Sequence, residues 1–197
     1  MQKKLVAEAL GTFTLTLAVL SSLQMETTII STSVVAALVL ALFVYTIGAR
    51  SGCHLNPAVS LGLWSIGKLK PNEAVSYILA QLLGALLAFG LVSLMLGKLT
   101  LGIPAESAEV FVAELIGAAL FTFGIAAVVY GKVADSISGL VVGGSLLLGI
   151  LLAAQFGSAG IINPAVALAL GALNLSYVLG SVIGGVVGMN LYKRVIV

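Results

Sequence analysis

The sequence predicts an all-α membrane protein with six transmembrane helices plus two re-entrant half-helices, arranged as an inverted repeat of two three-helix halves. Composition, six long apolar runs and a duplicated motif predict this fold class. The chain has 197 residues, of which 60% are hydrophobic and 8% are charged, against about 25% charged in a soluble domain. So few charges could not cover the surface of a soluble protein. The composition therefore excludes a cytosolic enzyme, a nucleic-acid binder and a disordered chain.

Six apolar runs are long enough to approach the length of about 20 residues that spans a bilayer as a helix. They cover residues 5–20, 34–47, 74–96, 110–130, 140–156 and 177–192. The first run follows two lysines and could be a signal peptide. It contains Glu8, however, and no convincing small-residue cleavage site follows it. We therefore interpret it as a retained first helix.

The basic residues predict the orientation of these spans. When the spans alternate sides from a cytoplasmic N-terminus, only Lys98 falls outside. The cytoplasmic side then holds Lys3, Lys4, Arg50, Lys68, Lys70, Lys132, Lys193 and Arg194. Basic residues concentrate on the cytoplasmic side of membrane proteins. We therefore expect a multi-pass protein of the plasma or inner membrane, with both termini in the cytoplasm.

The chain also repeats itself. Residues 7–16 resemble residues 113–122 at an offset of 106, and residues 56–59 recur as residues 163–166 at an offset of 107. Two landmarks with nearly one offset indicate a duplication. We expect a single domain with one repeat at about 1–98 and the other at about 107–197. Each half has three spans, an odd number, so the halves must have opposite orientations, with the site of interest near the midplane.

Two shorter apolar stretches, 58–66 and 165–173, each follow a proline and are about half a bilayer long, ~15 Å as helix. Asn56-Pro57-Ala58 and Asn163-Pro164-Ala165 begin them. Asn suits the N-cap and Pro the first helical position. Entering from opposite faces, the two half-helices would bring their positive ends to one point at the midplane, with the Asn amides offering N–H donors there. Capping alone would not explain why the motif is duplicated.

These motifs resemble those of the major intrinsic protein family, the aquaporins and aquaglyceroporins, over essentially the whole chain. The paired Asn-Pro-Ala is the specific part, and residues 52–59 are close to the family's first re-entrant loop. Glu8 and Glu114 match its buried acids, and Gln81 lies in a match to its third helix, whereas Ser181 stands where proline is usual. The resemblance implies a passive channel for water or small neutral solutes in a lipid bilayer, assembled as a homotetramer with one pore per subunit.

The chain departs from the family where an arginine usually follows the second Asn-Pro-Ala, because this residue is Val166. Counting from the motifs, the resemblance places the other three positions of the outer constriction at Ala36, Leu151 and Gly160. All four residues are small or apolar. We therefore expect a wide, uncharged outer constriction, in which solute size dominates selection.

Acids inside apolar spans are costly and suggest function by default. We interpret Glu8 and Glu114 instead as supports that accept hydrogen bonds from the re-entrant loops, together with Gln81 and His54. A cytoplasmic pH gate is the alternative for His54, the only histidine.

Two other functions stay open: a secondary transporter, since those also have inverted repeats, and a structural membrane protein with a closed pore. An enzyme is not expected, because one His and one Cys supply no nucleophile and base. The same count predicts no metal site, and we expect no cofactor and no nucleic-acid partner.

Overall fold

The computed structural model describes residues 1–24, 31–97 and 101–197. Within these residues, six helices are long and apolar enough to cross a membrane. Two short α-helices lie between them, and a single 3-10 turn, Asp135–Ile137, precedes the fifth long helix. In chain order the helices are α1 Gln2–Gln24, α2 Thr32–Ser51, α3 Pro57–Ser65, α4 Pro71–Leu96, α5 Ala108–Val129, α6 Ser138–Gln155, α7 Pro164–Ala169 and α8 Leu175–Val195. The predicted fold class is confirmed. Lys98, which the sequence places on the outer side, lies outside the described residues.

The two short helices begin as their sequences predict. The Asn56 side chain caps α3 and the Asn163 side chain caps α7, each with proline at the first position. The second short helix nevertheless ends at Ala169, so the prediction that it extends to residue 173 is wrong. The chain turns at Gly171, which adopts a φ of 70° that only glycine reaches without strain.

Glycines allow the long helices to pack closely. A Cβ atom on Gly84 of α4 would overlap the backbone carbonyl of Ala9 in α1. Gly184 and Gly188 of α8 approach α5 in the same way, against the carbonyls of Leu115 and Ala119. Small residues at such crossings let membrane helices come together without side chains between them.

Each half-helix packs against long helices of both halves. Helix α3 contacts α4 of its own half and also α8, and α7 contacts α8 and also α4. Within each half the first long helix packs on the third, as α1 does on α4 and α5 on α8. The two halves are therefore interlocked, and the starts of α3 and α7 meet inside the bundle.

Candidate functional site: the meeting point of two re-entrant loops

Asn56 and Asn163 link the two re-entrant loops, residues 52–56 and 156–163, by reciprocal hydrogen bonds. Nδ2 of Asn56 donates to the carbonyl of Ile162 at 2.8 Å, and Nδ2 of Asn163 donates to the carbonyl of Leu55 at 3.0 Å. Both asparagines are buried. Each Oδ1 accepts the N–H two residues later, at 2.8 Å in the first loop and 3.0 Å in the second. Each amide has two hydrogens and uses one for the opposite loop, so a second N–H remains for another partner.

The backbones of the two loops follow the same course. Leu55 and Ile162, directly before the asparagines, have φ values of 49° and 42°. Two residues earlier, Cys53 and Gly160 have φ values of 51° and 64°. Left-handed backbone costs a residue other than glycine roughly 1–2 kcal/mol. The surrounding contacts must therefore hold three of these four residues in place.

Glu8 supplies those contacts to the first loop. Its carboxylate accepts the backbone N–H of His54 at 3.0 Å and that of Leu55 at 2.8 Å. It also accepts the hydroxyl of Ser51 at 2.7 Å and the amide of Gln81 at 2.8 Å. The acid is fully buried, and its four donors offset the cost of placing a carboxylate there.

Glu114 makes nearly the same contacts in the second loop. Its carboxylate accepts the N–H of Ile161 at 2.9 Å, the N–H of Ile162 at 2.6 Å and the hydroxyl of Ser158. The Ser158 hydroxyl also accepts the N–H of Gly160 at 3.1 Å. The duplication thus extends from the sequence to individual hydrogen bonds.

His54 belongs to the first loop, and its side chain is buried. Its Nδ1 is 3.1 Å from the Ser60 hydroxyl, which also accepts the Gln81 amide at 3.0 Å. Its ring centroid is 4.8 Å from that of Tyr77, whose hydroxyl donates to the carbonyl of Ser51. The side chains of His54 and Gln81 thus both contact Ser60, and Gln81 also donates to Glu8, which holds the loop.

A cavity of about 290 Å³ leads from the end of the bundle where α1 ends and α2 begins to Asn163. The four residues that the sequence assigns to an outer constriction all line it: Ala36, Leu151, Gly160 and Val166. They come from α2, α6, the second loop and α7, so the fold brings four distant segments around one space.

Sequence reasoning missed other residues of this wall. Leu15, Val19 and Leu23 line the cavity from α1, and Ile150 lines it beside Leu151. The three α1 residues are spaced four apart and therefore share one helix face. That spacing is visible in the sequence, but it does not tell a cavity wall from a packed interface.

Comparison with known proteins decides the family. The family model described as major intrinsic protein matches residues 1–192. The chain belongs to the major intrinsic protein family. This family consists of channels and is not a family of enzymes. The six apolar helices of this chain make it a multi-pass membrane protein.

Several relatives cover nearly the whole chain. Nodulin-26 of Glycine max is 31% identical over 98% of this chain and 78% of its own length. Aquaporin NIP1-1 of Zea mays is 30% identical over 98% of this chain and 74% of its own length. Aquaporin AqpM of Methanothermobacter marburgensis is 60% identical over a short region, 24% of this chain and 18% of its own length.

A solved structure shows the same fold. The X-ray structure of the aquaglyceroporin from Plasmodium falciparum superimposes with a TM-score of 0.77 at 22% sequence identity. The match covers 99% of this chain and 96% of the other. The fold of the major intrinsic proteins therefore extends over nearly all of this chain.

Proposed function

We propose that this protein is a passive channel for water and small uncharged solutes, with a wide apolar outer constriction. The observation that carries the proposal is the pair of bonds between the loops, Asn56 to Ile162 and Asn163 to Leu55. They bring the starts of two half-helices together at the floor of an apolar cavity that Asn163 lines. Relatives named aquaporin and a matching aquaglyceroporin structure support the same function.

In this proposal the two Asn-Pro-Ala motifs form the midplane of the pore. Pro57 and Pro164 start the half-helices, and Ala58 and Ala165 follow them as small buried residues. The helix starts point their positive ends at the passing solute, which disfavours cations there. The N–H groups of the asparagines that the loops leave unused offer hydrogen bonds to a solute.

The acids and their partners support this pore without contacting the solute. Glu8 and Glu114 hold the N–H groups of the two loops, and Gln81 and His54 contact Ser60 behind the first loop. Because the loops have left-handed residues, they need such fixed acceptors to keep their shape. No chemistry at these acids is required.

The outer constriction carries no charge in this proposal. Ala36, Leu151, Gly160 and Val166 leave the cavity without the arginine that the family usually has. A pore with few polar groups at its mouth discriminates mainly by size. Solutes of the size of glycerol, urea and ammonia are then candidates as well as water.

The remaining features of the proposal concern assembly and orientation. Residues 1–197 form one channel domain with halves at about 1–98 and 107–197, and both termini are cytoplasmic, in the plasma or inner membrane. The gathering of Lys3, Lys4 and Arg50 around one surface recess at the helix ends supports that orientation.

Leucines such as Leu38 and Leu79 are exposed on the outside. These apolar faces suit lipid and neighbouring subunits of a homotetramer.

Stopped-flow measurements on proteoliposomes test the proposal. We expect the wild-type protein to accelerate the flux of water and glycerol above that of empty liposomes. Val166→Arg adds a long charged side chain to the constriction and should lower glycerol flux about tenfold or more. Val166→Leu is the control, since it adds volume without charge and should lower glycerol flux much less.

Three results would contradict the proposal. An absence of flux for every solute favours a structural protein with a closed pore. Accumulation of a solute against its gradient, driven by an ion gradient, favours a secondary transporter. Glycerol flux that is the same in Val166→Arg and the wild type shows that Val166 does not lie at the constriction.

A further inference from the structure

A surface recess at one end of the bundle is lined mainly by basic residues. It has a volume of about 460 Å³, and its walls come from the start of α1 and the end of α2: Met1, Gln2, Lys3, Lys4 and Arg50. Lys4 pairs with Glu73 at 3.2 Å, which neutralises that acid. Lys3 and Arg50 are exposed, and no carboxylate of the described residues pairs with either. The recess therefore holds two positive charges without a partner in the described part of the chain.

An apolar groove lies between α1 and α4 on the surface of the bundle. It has a volume of about 380 Å³, and its walls include Leu5, Val6 and Ala9 from α1 and Ser76, Leu79 and Leu83 from α4. The α4 wall extends for eight residues, about 10 Å of helix. The hydrocarbon of one leaflet is about 15 Å thick. The groove therefore extends through about two thirds of one leaflet.

The recess and the groove adjoin each other along α1. Val6 in the groove lies three residues after Lys3 and four after Gln2 in the recess, so the three side chains lie on one side of the helix. Lys4 connects the two features as well, because its partner Glu73 lies in the first turn of α4, three residues before Ser76. A positively charged recess next to an apolar groove complements a molecule with an anionic head and an apolar tail.

We propose that the recess and the groove together bind one anionic phospholipid, in the leaflet that contains the start of α1. The lipid phosphate accepts hydrogen bonds from Lys3 and from Arg50, whose guanidinium can bind two phosphate oxygens at once. One acyl chain lies in the groove. Basic recesses between membrane helices suit anionic head groups, whereas a zwitterionic lipid brings a cation that the same residues repel.

This site is separate from the proposed channel. The recess and the groove share no residue with the cavity that leads to Asn163. The inference therefore does not depend on which solute the channel carries, and lipid binding can be measured without measuring flux.

Native mass spectrometry of the full chain in a neutral detergent tests the proposal, because it counts bound lipids and gives their dissociation constants. The two probes are dioleoyl phosphatidylglycerol and dioleoyl phosphatidylcholine, which have the same acyl chains. Each Lys or Arg near a membrane surface contributes about a fivefold preference for anionic lipid. We expect the wild type to bind one phosphatidylglycerol per subunit, about twentyfold more tightly than phosphatidylcholine.

A double variant tests the charges of the recess. Lys3→Gln combined with Arg50→Gln should weaken phosphatidylglycerol binding about tenfold or more and leave phosphatidylcholine binding unchanged. Lys132→Gln combined with Arg194→Gln is the matched control, since it removes the same charge from two exposed residues outside the recess. We expect the control to change either affinity less than twofold. Thermal midpoints equal to that of the wild type show that both proteins are folded.

A second pair of variants tests the groove. Ser76→Phe places a ring in the groove, whereas Val75→Phe places the same ring on the neighbouring exposed residue, outside the groove. We expect phosphatidylglycerol to bind Ser76→Phe about fivefold more weakly and Val75→Phe as tightly as the wild type. The same spectra report the number of subunits in each assembly.

Four results would overturn the proposal. Equal affinity of the wild type for the two lipids excludes selection by charge. Equal losses in the two double variants show a general attraction to positive charge and no site. Displacement of phosphatidylglycerol by millimolar glycerol 3-phosphate assigns the recess to a soluble anion. A change in subunit number in Ser76→Phe, with lipid affinity intact, makes the groove a contact between copies of this chain.

Discussion

Leu55 and Ile162 occupy matching positions in the two loops and make matching bonds. Each has a left-handed backbone, each N–H donates to the buried acid of its own half, and each carbonyl accepts the asparagine of the opposite half. These two residues therefore connect the bonds within each half to the bonds between the halves. Substitutions that remove the bonds within a half and substitutions that remove the bonds between the halves should therefore have separately measurable effects on stability.

Asn163→Ala should remove two bonds at once. The change deletes the cap of α7 and leaves the carbonyl of Leu55 without its donor. We expect the free energy of unfolding in detergent to fall by about 2–4 kcal/mol. Asn174→Ala is the matched control, because Asn174 caps α8 through the N–H of Tyr177 and should cost only about 1 kcal/mol. Equal losses in the two variants would contradict a contribution from the bond between the loops.

Glu114→Gln should disrupt the second loop. Glutamine keeps the size of the side chain but replaces one acceptor oxygen with a donor, which then faces a backbone N–H or the hydroxyl of Ser158. We expect a loss of about 2–4 kcal/mol in the free energy of unfolding, together with reduced water flux. Glu109→Gln changes an exposed acid in the first turn of the same helix, so it should cost less than about 1 kcal/mol and leave water flux unchanged. A fully stable and active Glu114→Gln protein would show that the loop does not depend on the carboxylate.

Gly184→Ala should separate α8 from α5. The added Cβ would overlap the Leu115 carbonyl and lie 2.9 Å from the Cβ of Ala118, so the helices must move apart at a cost of about 1–3 kcal/mol. Gly144→Ala on α6 is the control, since its Cβ meets nothing within 4 Å. Thermal unfolding in detergent compares the two, and we expect the midpoint to fall only for Gly184→Ala. A midpoint that falls equally in both variants would contradict close packing at Gly184.

Lys4→Met should weaken the attachment of α1 to α4 only slightly. The Lys4 amino group lies 3.2 Å from the Glu73 carboxylate, and the two side chains are 43% and 20% exposed. Partly exposed ion pairs contribute about 0.2–1 kcal/mol and are screened by salt. Lys3→Met is the control, because among the described residues no carboxylate pairs with Lys3. We expect the difference between the variants in denaturant unfolding to vanish in 1 M salt, and a difference that persists would exclude the ion pair as its cause.

The sequence predicts the long helices well because their signal is strong. The predicted ends of all six spans lie within four residues of the observed ends, since apolar runs end where polar loops begin. The half-helix starts are also predicted correctly, because Asn and Pro have a local preference for these positions. The end of α7 is not predicted correctly, because an apolar residue such as Leu173 fits equally well within a helix and in the segment after it.

The details of the site were beyond sequence reasoning for a different reason. Leu55 and Ile162 adopt a backbone conformation that their side chains disfavour, and only tertiary contacts impose it. The bonds of Asn56 and Asn163 join residues 106 and 108 positions apart, so their register follows from the assembled bundle. Ile150 is a comparable case. It lines the cavity beside Leu151, but no local sequence pattern shows that both residues do so.

The hydrogen bonds of Glu8 imply an order of events during synthesis. The four donors that the described residues supply to it belong to residues 51–81, which are translated before the second half. The first loop can thus acquire its shape while the carbonyl of Leu55 still lacks Asn163. The described part of the connection between the halves, residues 101–107, takes part in none of these bonds. Two polypeptides translated separately should therefore reassemble into the same bundle once both reach one membrane.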